Sequence, residues 1–234
     1  MGMEHLARIV SYASGVAGLL FAVFAFINGG LSRRSIFMAL TMGSMALWAV
    51  SIAVMYGIEN EATVVGLAVL NYAVICFMEY SMVMLGLSFT NVNNKKFWLV
   101  GVVVFIPAMC LMIAMILDTG TMFTGAIIED GMVQQLLQND VGYSLFAILI
   151  TIYTVVFFLF MNEARKQTRT EAGRRALMMM IIGAAIAFAT GIIFNLAIPM
   201  FLHDYTWGWV GPMAILVFAG ASYRAVVKFA QDEL

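Results

Sequence analysis

The chain has 234 residues, of which 63% are hydrophobic and 11% are charged, and its formal net charge is -1. A water-soluble domain normally carries charges on about a quarter of its residues, and a nucleic-acid-binding surface is strongly basic. This composition excludes the first class, argues against the second and predicts a membrane protein.

Apolar runs long enough to cross a hydrocarbon core of about 30 Å as helices recur along almost the whole sequence. Seven spans are predicted, at residues 9–28, 36–57, 63–89, 97–117, 141–161, 176–198 and 207–227. One Arg and no cleavage site of small residues precede the first run, so we expect that run to remain as a span. The predicted fold is a single domain over residues 1–234, an all-α bundle of seven transmembrane helices.

Small residues recur in three of these spans, where they allow two helix backbones to approach closely. They are Ser11, Ser14, Gly15 and Gly18 in the first span, Gly183, Ala184, Ala187 and Gly191 in the sixth, and Gly208, Gly211 and Gly220 in the seventh. We expect these positions to mark packed faces.

Two other residue types bear on the spans. Cys76 and Cys110 both lie inside predicted spans and are expected to be small buried side chains rather than a disulfide or metal pair. Pro107, Pro199 and Pro212 are expected to kink or end helices.

Several polar and aromatic side chains occupy the outer or middle parts of the spans. They are Trp48, Tyr56, Asn71, Tyr72, Tyr143, Tyr153 and Asn195. If they turned inward together, they would line an outward-facing cavity that is apolar with a few hydrogen-bonding groups, the usual composition of a small-molecule pocket. We take Trp48, Asn71, Tyr72, Tyr143 and Asn195 as candidate pocket or switch residues.

Glu79, in the third-span stretch ICFMEYSMVM, is the only ionisable residue deep in a predicted span. A charge at that depth is costly, so Glu79 is also a candidate pocket or switch residue, facing the bundle in a paired or protonated state. A structural alternative stays open, in which a neutral Glu79 hydrogen-bonds to a neighbouring helix and moves no proton.

The longest stretch between spans is residues 118–140, DTGTMFTGAIIEDGMVQQLLQND. Two β-prone pieces flank Asp130 and Gly131, a dipeptide that favours a tight turn, so a small β-hairpin over the outer mouth of the bundle is predicted. The competing prediction is a short amphipathic helix over VQQLLQ.

Lys and Arg fall almost entirely on one side of the spans. In the loops of that side lie Arg33, Arg34, Lys95, Lys96, Arg165, Lys166, Arg169, Arg174 and Arg175, and Arg224 and Lys228 lie at the end of the last span. The other side carries Glu4, Glu59, Glu61, Asp118, Glu129, Asp130, Asp140 and Asp204. Because cationic short loops are retained in the cytoplasm, the loop cations are the predicted topology anchor. They place the N-terminus outside and the C-terminus inside a bacterial-type cytoplasmic membrane.

Signatures of several chemistries are missing from the sequence. No lysine lies in the middle of the seventh span, where a retinal protein carries its Schiff base. His5 and His203 lack the number and spacing of zinc ligands, and there is no glycine-rich phosphate loop or nucleophile elbow. We therefore expect no enzyme activity, no cofactor and no metal.

Several stretches of the chain carry a resemblance to a known family. They are MALWAVSIAVMYG, LNYAVICFMEYSMVMLGLSFTN, NDVGYSLFAILITIYTVVFFLF and, most clearly, RKQTRTEAGRRALMMMIIGAAIAFATGIIFNLAIP followed by GPMAILVFAGASYRAVVKF. They resemble the N-terminal seven-transmembrane sensor region of bacterial histidine kinases and diguanylate cyclases. The resemblance implies a sensor that takes a stimulus at the outer face or within the bundle and relays it through the seventh helix to a cytoplasmic output domain.

In that family an output domain follows the seventh helix, whereas this sequence stops after RAVVKFAQDEL. We expect either a sensor module of a longer protein or a free-standing form whose output is a separate chain. The expected partners are the lipid bilayer, a small-molecule ligand, a cytoplasmic output domain or partner protein, and a second copy in a homodimer. Two alternatives remain: a structural or assembly subunit without a ligand, and a small transporter or proton path that uses Glu79.

Overall fold

The computed structural model describes the backbone of residues 3–129 and 131–232, and their side chains except those of 223, 224 and 226–232. The helices are α1 Met3–Gly29, α2 Arg33–Met55, α3 Glu61–Ser88, α4 Asn94–Leu117, α5 Asp140–Gln167, α6 Glu171–Ile192, α7 Ile198–Leu202 and α8 Val210–Asp232. A π-helical turn, Ile193–Ala197, joins α6 to α7. Strands β1 Phe123–Glu129 and β2 Met132–Gln138 pair antiparallel between α4 and α5.

Six helical segments in this part of the chain are long and apolar enough to cross a membrane. They are α1 to α5 and the continuous segment Glu171–Leu202. The seventh predicted span corresponds to α8, which contributes a shorter apolar stretch over Val210–Ser222. The prediction of an all-α membrane bundle is thus confirmed, while the number of crossings and the orientation stay predictions.

Short polar side chains begin helices α2 to α6. The first N–H groups of a helix have no acceptor within the helix, so a polar side chain just before it stabilises its start. In each case a side-chain oxygen accepts a hydrogen bond from a backbone N–H of the first turn; these residues are Ser32, Asn60, Asn93, Asn139 and Thr170. Because these caps lie in the polar loops, helices α2 to α6 begin before the apolar spans predicted from hydropathy.

The helices form a closed ring with one helix outside it. Around the ring, α1 packs on α2 and α8, α8 packs on α6, α6 contacts α5, and α3 packs on both α2 and α5. Helix α4 lies outside the ring against α3. The contact between α6 and α5 is much less extensive than that between α6 and α8.

Small residues mark close helix contacts, as predicted, in α1 and in the first half of α6. A β-carbon added at Gly15 would lie 2.8 Å from Cγ2 of Val50 on α2. One added at Gly183 would overlap Ala221 of α8. Gly220 differs, because no other atom lies within 4 Å of an added β-carbon there. That glycine therefore marks no close contact among the described side chains.

The hairpin is anchored to the loops that surround it. The Gly57 N–H, in the loop between α2 and α3, donates to the Gly131 carbonyl in the hairpin turn at 2.7 Å. The Tyr205 N–H, in the loop before α8, donates to the Gln134 carbonyl of β2 at 2.7 Å. We call this side of the bundle, with residues 56–60, 118–139 and 203–209, the acidic end.

The opposite side joins the loops that carry the predicted topology anchor. The Arg34 guanidinium donates to the Ser88 carbonyl at 3.3 Å, which ties the start of α2 to the end of α3. The Asn91 N–H donates to Oε1 of Gln167 at 2.7 Å, which ties the α3–α4 loop to α5. We call this side, with residues 30–34, 89–96 and 165–175, the basic end.

Three sequence expectations need correction. The competing helix over VQQLLQ is wrong, because those residues lie in β2 and pair with β1. Cys110 is exposed on α4 rather than buried, whereas Cys76 is buried. Pro212 neither kinks nor ends a helix, since it lies in the first turn of α8, where the missing N–H has no acceptor to lose.

The predictions made at Asp130, Arg224 and Lys228 concern residues, or side chains, outside the described part of the chain.

Candidate ligand site

A central cavity lies inside the helix ring, between the middle of the bundle and the acidic end. The cavity volume, measured as the space open to the centre of a water-sized sphere, is about 70 Å³. One bound water needs about 10–15 Å³ on the same measure. The walls come from α2, α3, α5, α6 with its π turn, and α8. They are formed by Met45, Trp48, Ile75, Met78, Glu79, Met82, Phe146, Ile150, Ala187, Phe188, Gly191, Ile192, Asn195, Leu196, Ala214 and Ile215.

Three polar side chains interrupt this apolar lining. Trp48, Glu79 and Asn195 are all buried, with exposed fractions of 6%, 1% and 7%. The Trp48 Nε1, the Glu79 Oε2 and both amide atoms of Asn195 have no hydrogen-bond partner among the residues described. A buried polar group without a partner costs about 1–3 kcal/mol, so an occupant that bonded to these groups would be stabilised.

Glu79 lies in the cavity wall, and no described residue forms an ion pair with it. The ion pairs formed within the described residues involve Glu4 and Glu171 instead. Removing an unpaired carboxylate from water costs several kcal/mol, so we expect this carboxyl group to be neutral. A neutral carboxyl group both donates and accepts a hydrogen bond, and it suits a polar but uncharged partner.

A backbone defect in α6 positions Asn195. In a regular helix the Asn195 carbonyl would accept from the N–H four residues later, but that residue is Pro199, which has none. The π turn lies here, and the hydroxyls of Tyr72 and Tyr143 both donate to the Asn195 carbonyl, at 3.1 Å each. The two hydroxyls lie 3.3 Å apart. The freed carbonyl is therefore satisfied by α3 and α5, which locks the turn to both helices.

Helix α8 touches the cavity wall through a glycine. A β-carbon added at Gly211 would overlap the Asn195 amide and would lie 2.9 Å from Cη2 of Trp48. Only a residue without a side chain allows these two cavity residues to rest directly on the α8 backbone. A change in the position of Asn195 or Trp48 would therefore change their contact with the α8 backbone.

Two further buried tyrosines connect this cluster to the acidic end. The Tyr205 hydroxyl lies near those of Tyr72 and Tyr56 but has no hydrogen-bond partner among the described residues, and burial raises the pKa of Tyr205 well above its ordinary value. Burial likewise raises the pKa of Tyr56, which lies beside the backbone of Trp209. Both phenols thus keep their protons at physiological pH. Because the Tyr205 backbone bonds to the hairpin, the hairpin and the Asn195 cluster form one connected structure.

Only some of the residues predicted for the pocket line the cavity. Trp48, Glu79 and Asn195 line the cavity, and Tyr72 and Tyr143 support its wall through the Asn195 carbonyl. Asn71 does not line it. Its amide nitrogen bonds instead to the Trp48 carbonyl at 3.3 Å and to Oγ of Ser51 at 2.6 Å, both on α2.

Tyr153 also lies away from the cavity lining. Its hydroxyl donates to the Val104 carbonyl of α4, next to the carbonyl that Pro107 leaves without its helical donor. Tyr153 therefore attaches α4 to α5.

Sequence reasoning missed much of the wall. The methionines Met45, Met78 and Met82 line the cavity. In the sequence, only the abundance of methionine and its adaptable side chain could have indicated this role. Gly191 and Gly211 were assigned to helix packing alone, whereas both lie at the cavity. Spacing cannot separate a glycine that packs from one that opens space.

The topology-anchor residues lie at the basic end, away from the cavity. Arg33 stacks over the Phe97 ring at 4.5 Å and Arg34 over the Phe89 ring at 5.2 Å. Four cations and an acid border a surface cleft where α5 meets α6: Arg165, Lys166, Glu171, Arg174 and Arg175. Arg175 pairs with Glu171 within this group. The remaining positive charge suits contact with anionic headgroups.

Comparisons with protein-family models and with curated proteins find no match for this chain.

Proposed function

We propose that this protein is a non-catalytic membrane sensor whose ligand occupies the central cavity. Occupancy is relayed through α8 to a cytoplasmic output domain or partner protein. The basic end faces the cytoplasm of a bacterial-type inner membrane. The observation that carries this proposal is the contact of Trp48 and Asn195 with the α8 backbone at Gly211. A ligand that bonds to those two side chains acts on the helix proposed to carry the signal.

A proton path through Glu79 has weaker support. Toward the basic end, the described part of the bundle beyond the cavity holds buried apolar side chains such as Met42, Phe157 and Met180. The buried hydroxyls there do not connect to one another, because Thr41 has no hydrogen-bond partner among the described residues and Ser88 donates to its own helix. Proton transfer across a membrane needs a chain of ionisable or polar groups or water. The surroundings of Glu79 thus favour a binding role over transport.

An assembly subunit is also less well supported. A subunit of that kind needs small-residue helix faces that are free to receive a partner helix. The close contacts of Gly15 with α2 and of Gly183 with α8 show that two such faces are engaged within the chain. The structure therefore supports internal use of the surfaces that the assembly reading required.

The relay can be tested by filling the cavity from within the chain. Ala187 lines the cavity, and Ala187→Phe would place a ring there as a substitute for a ligand. We expect it to alter backbone hydrogen exchange in α8 by more than about threefold, because local opening responds to changes in packing. Ala185 is exposed on the same helix, so Ala185→Phe is the matched control and should leave α8 unchanged. Equal exchange of α8 in both variants would refute the relay.

A further inference from the structure

Among the described residues that line the cavity, the partly exposed ones all lie on one side. They are Ala187, Gly191, Ile192 and Leu196, all from α6 and the π turn. The lining residues from α2, α3, α5 and α8 are buried. The opening therefore lies beside α6.

The packing of α6 shows which side of the helix is open. Toward α8 the two helices pack closely, at Gly183 and Ala221. Toward α5 the contact is sparse. Gly191 is partly exposed, and no described atom outside its own stretch of helix backbone lies within 4 Å of an added β-carbon there, so no neighbouring helix covers this part of the cavity wall. The opening is a gap between α5 and α6 near Gly191, which we call the α5–α6 gap.

Aromatic side chains close the interface between α5 and α6 on the basic-end side of the α5–α6 gap. The Phe188 ring lies 5.9 Å from that of Phe157 and 5.7 Å from that of Phe158, both on α5. These contacts lie on the basic-end side of Gly191. A molecule in the α5–α6 gap can thus reach the cavity, but its path toward the basic end is blocked.

The position of the gap along the helix indicates which solvent it meets. Gly191 lies about 16 Å from Leu202, at the 1.5 Å rise per residue of a helix. With Leu202, the end of the apolar segment Glu171–Leu202, taken as the outer boundary of a hydrocarbon core of about 30 Å, that depth is close to the middle of the core. Ile148 on α5 and Ile193 after α6 are exposed, at 56% and 48%. The α5–α6 gap therefore opens toward acyl chains rather than water.

The polar groups inside the cavity define the chemistry of the occupant. The Trp48 indole donates, whereas the Asn195 amide and a neutral Glu79 both donate and accept. Among the described residues, the lining contains no Lys, Arg or His, so an anionic headgroup would be buried there without a counter-charge. A hydroxyl, amide or carbonyl group can satisfy these side chains, and an attached chain can leave through the gap.

We propose that the ligand is an uncharged, single-chain amphiphile that enters from the bilayer through the α5–α6 gap, polar head first. Its head bonds to Asn195, Trp48 and Glu79, and its chain extends past Gly191 into the lipid. This inference names the ligand class and route for the proposed sensor and rests on that function.

The ligand class can be tested with photoreactive probes in nanodiscs. The probes are hexadecanol with a diazirine near the hydroxyl, the corresponding alkane, and the corresponding fatty acid. We expect the alcohol to label peptides containing Trp48 and Asn195 about tenfold more than the alkane, as one or two hydrogen bonds allow. The acid should label them as weakly as the alkane. Equal labelling by the acid and the alcohol would overturn the assignment of an uncharged head.

The route can be tested by obstructing the gap. Gly191→Leu adds a side chain where space is open, and we expect it to slow labelling of the cavity by the alcohol about tenfold, since obstructed access lowers association rates. Gly220→Leu is the matched control, because Gly220 is also helical with no neighbour within 4 Å of an added β-carbon. Ile192→Trp, at a second partly exposed wall residue, provides an independent obstruction.

Wild-type labelling rates in both Gly191→Leu and Ile192→Trp would overturn entry through the gap. The sensor proposal is judged separately, because Ala187→Phe fills the cavity without any ligand. If the alcohol labels the cavity through the gap while Ala187→Phe leaves α8 unchanged, the relay fails and the entry route stands.

Discussion

The Asn195 carbonyl shows how a single missing donor shapes the site. Pro199 removes the helical N–H that this carbonyl would accept, and two tyrosine hydroxyls replace it. A backbone carbonyl has two lone pairs, so it can hold both hydroxyls at once. Substitution of Pro199 alone would restore a donor, whereas loss of the hydroxyls would leave the carbonyl unpaired.

Removal of the two hydroxyls should therefore be more costly together than separately. We expect Tyr72→Phe and Tyr143→Phe each to lower the free energy of unfolding by about 0.5–1.5 kcal/mol, while the double variant leaves a buried acceptor unpaired and costs more than their sum. Denaturant unfolding in detergent would measure all three variants. Tyr12 is exposed on α1, so Tyr12→Phe should have little effect. Strict additivity would contradict shared bonding to one carbonyl.

The protonation state of Glu79 can be tested by substitution. If its carboxyl group is neutral, Glu79→Gln preserves shape and hydrogen bonding, and it should change the free energy of unfolding by less than about 1 kcal/mol. Glu79→Lys introduces a buried charge without a partner and should cost about 3–5 kcal/mol. Thermal unfolding in one detergent would compare the two. A large loss in Glu79→Gln would indicate an ionised, paired carboxylate instead.

Pairs of helices pack according to where glycines allow close approach. Helices α1 and α2 meet at Gly15, which faces Val50 and the Ala46 carbonyl. Lipid tails are as apolar as the helices, so the association depends on van der Waals packing at such points.

Substitution of this contact glycine should separate α1 from α2. We expect Gly15→Leu to lower the free energy of unfolding by about 1–3 kcal/mol through overpacking. Gly43 on α2 is helical with no neighbour within 4 Å of an added β-carbon, so Gly43→Leu gains helix propensity without a clash. Unfolding by denaturant in detergent would compare both variants. Equal stability would mean that the close approach at Gly15 contributes little.

The elements themselves were largely predictable from local sequence. Each predicted span falls on a helix, since hydropathy and polar caps such as Asn60 and Asn139 act over a few residues. The hairpin was predicted for the same reason, with Gly131 at a φ of 73° in its turn. The π turn was not predicted from Pro199, because the groups that satisfy the carbonyl freed by Pro199, Tyr72 and Tyr143, come from distant parts of the chain.

At the scale of the whole molecule, two chemically different ends enclose one cavity. Hairpin and loop bonds connect the acidic end, whereas arginine and amide contacts connect the basic end. Cationic loops are retained in the cytoplasm, so this separation of charge supports the proposed direction of signalling.

Orientation can be measured with single cysteines in a background of Cys76→Ser and Cys110→Ser. Glu59→Cys reports on the acidic end and Thr168→Cys on the basic end, both in loops. In intact cells, we expect a membrane-impermeant maleimide to label position 59 and to leave position 168 unlabelled until the cells are opened. Labelling of position 168 alone would reverse the orientation and the direction of the proposed signal.

Run length, helix caps and loop charges act locally along the chain, so they were enough to predict the membrane class, the positions of the helices and the hairpin, and the separation of charges. The folded arrangement of the helices was needed to show that Asn195 faces a cavity while Asn71 bonds to α2. The two asparagines are alike in sequence, and their roles depend on how far each helix is rotated. That rotation is set by packing against every neighbouring helix, through contacts such as Gly211 that join distant parts of the chain.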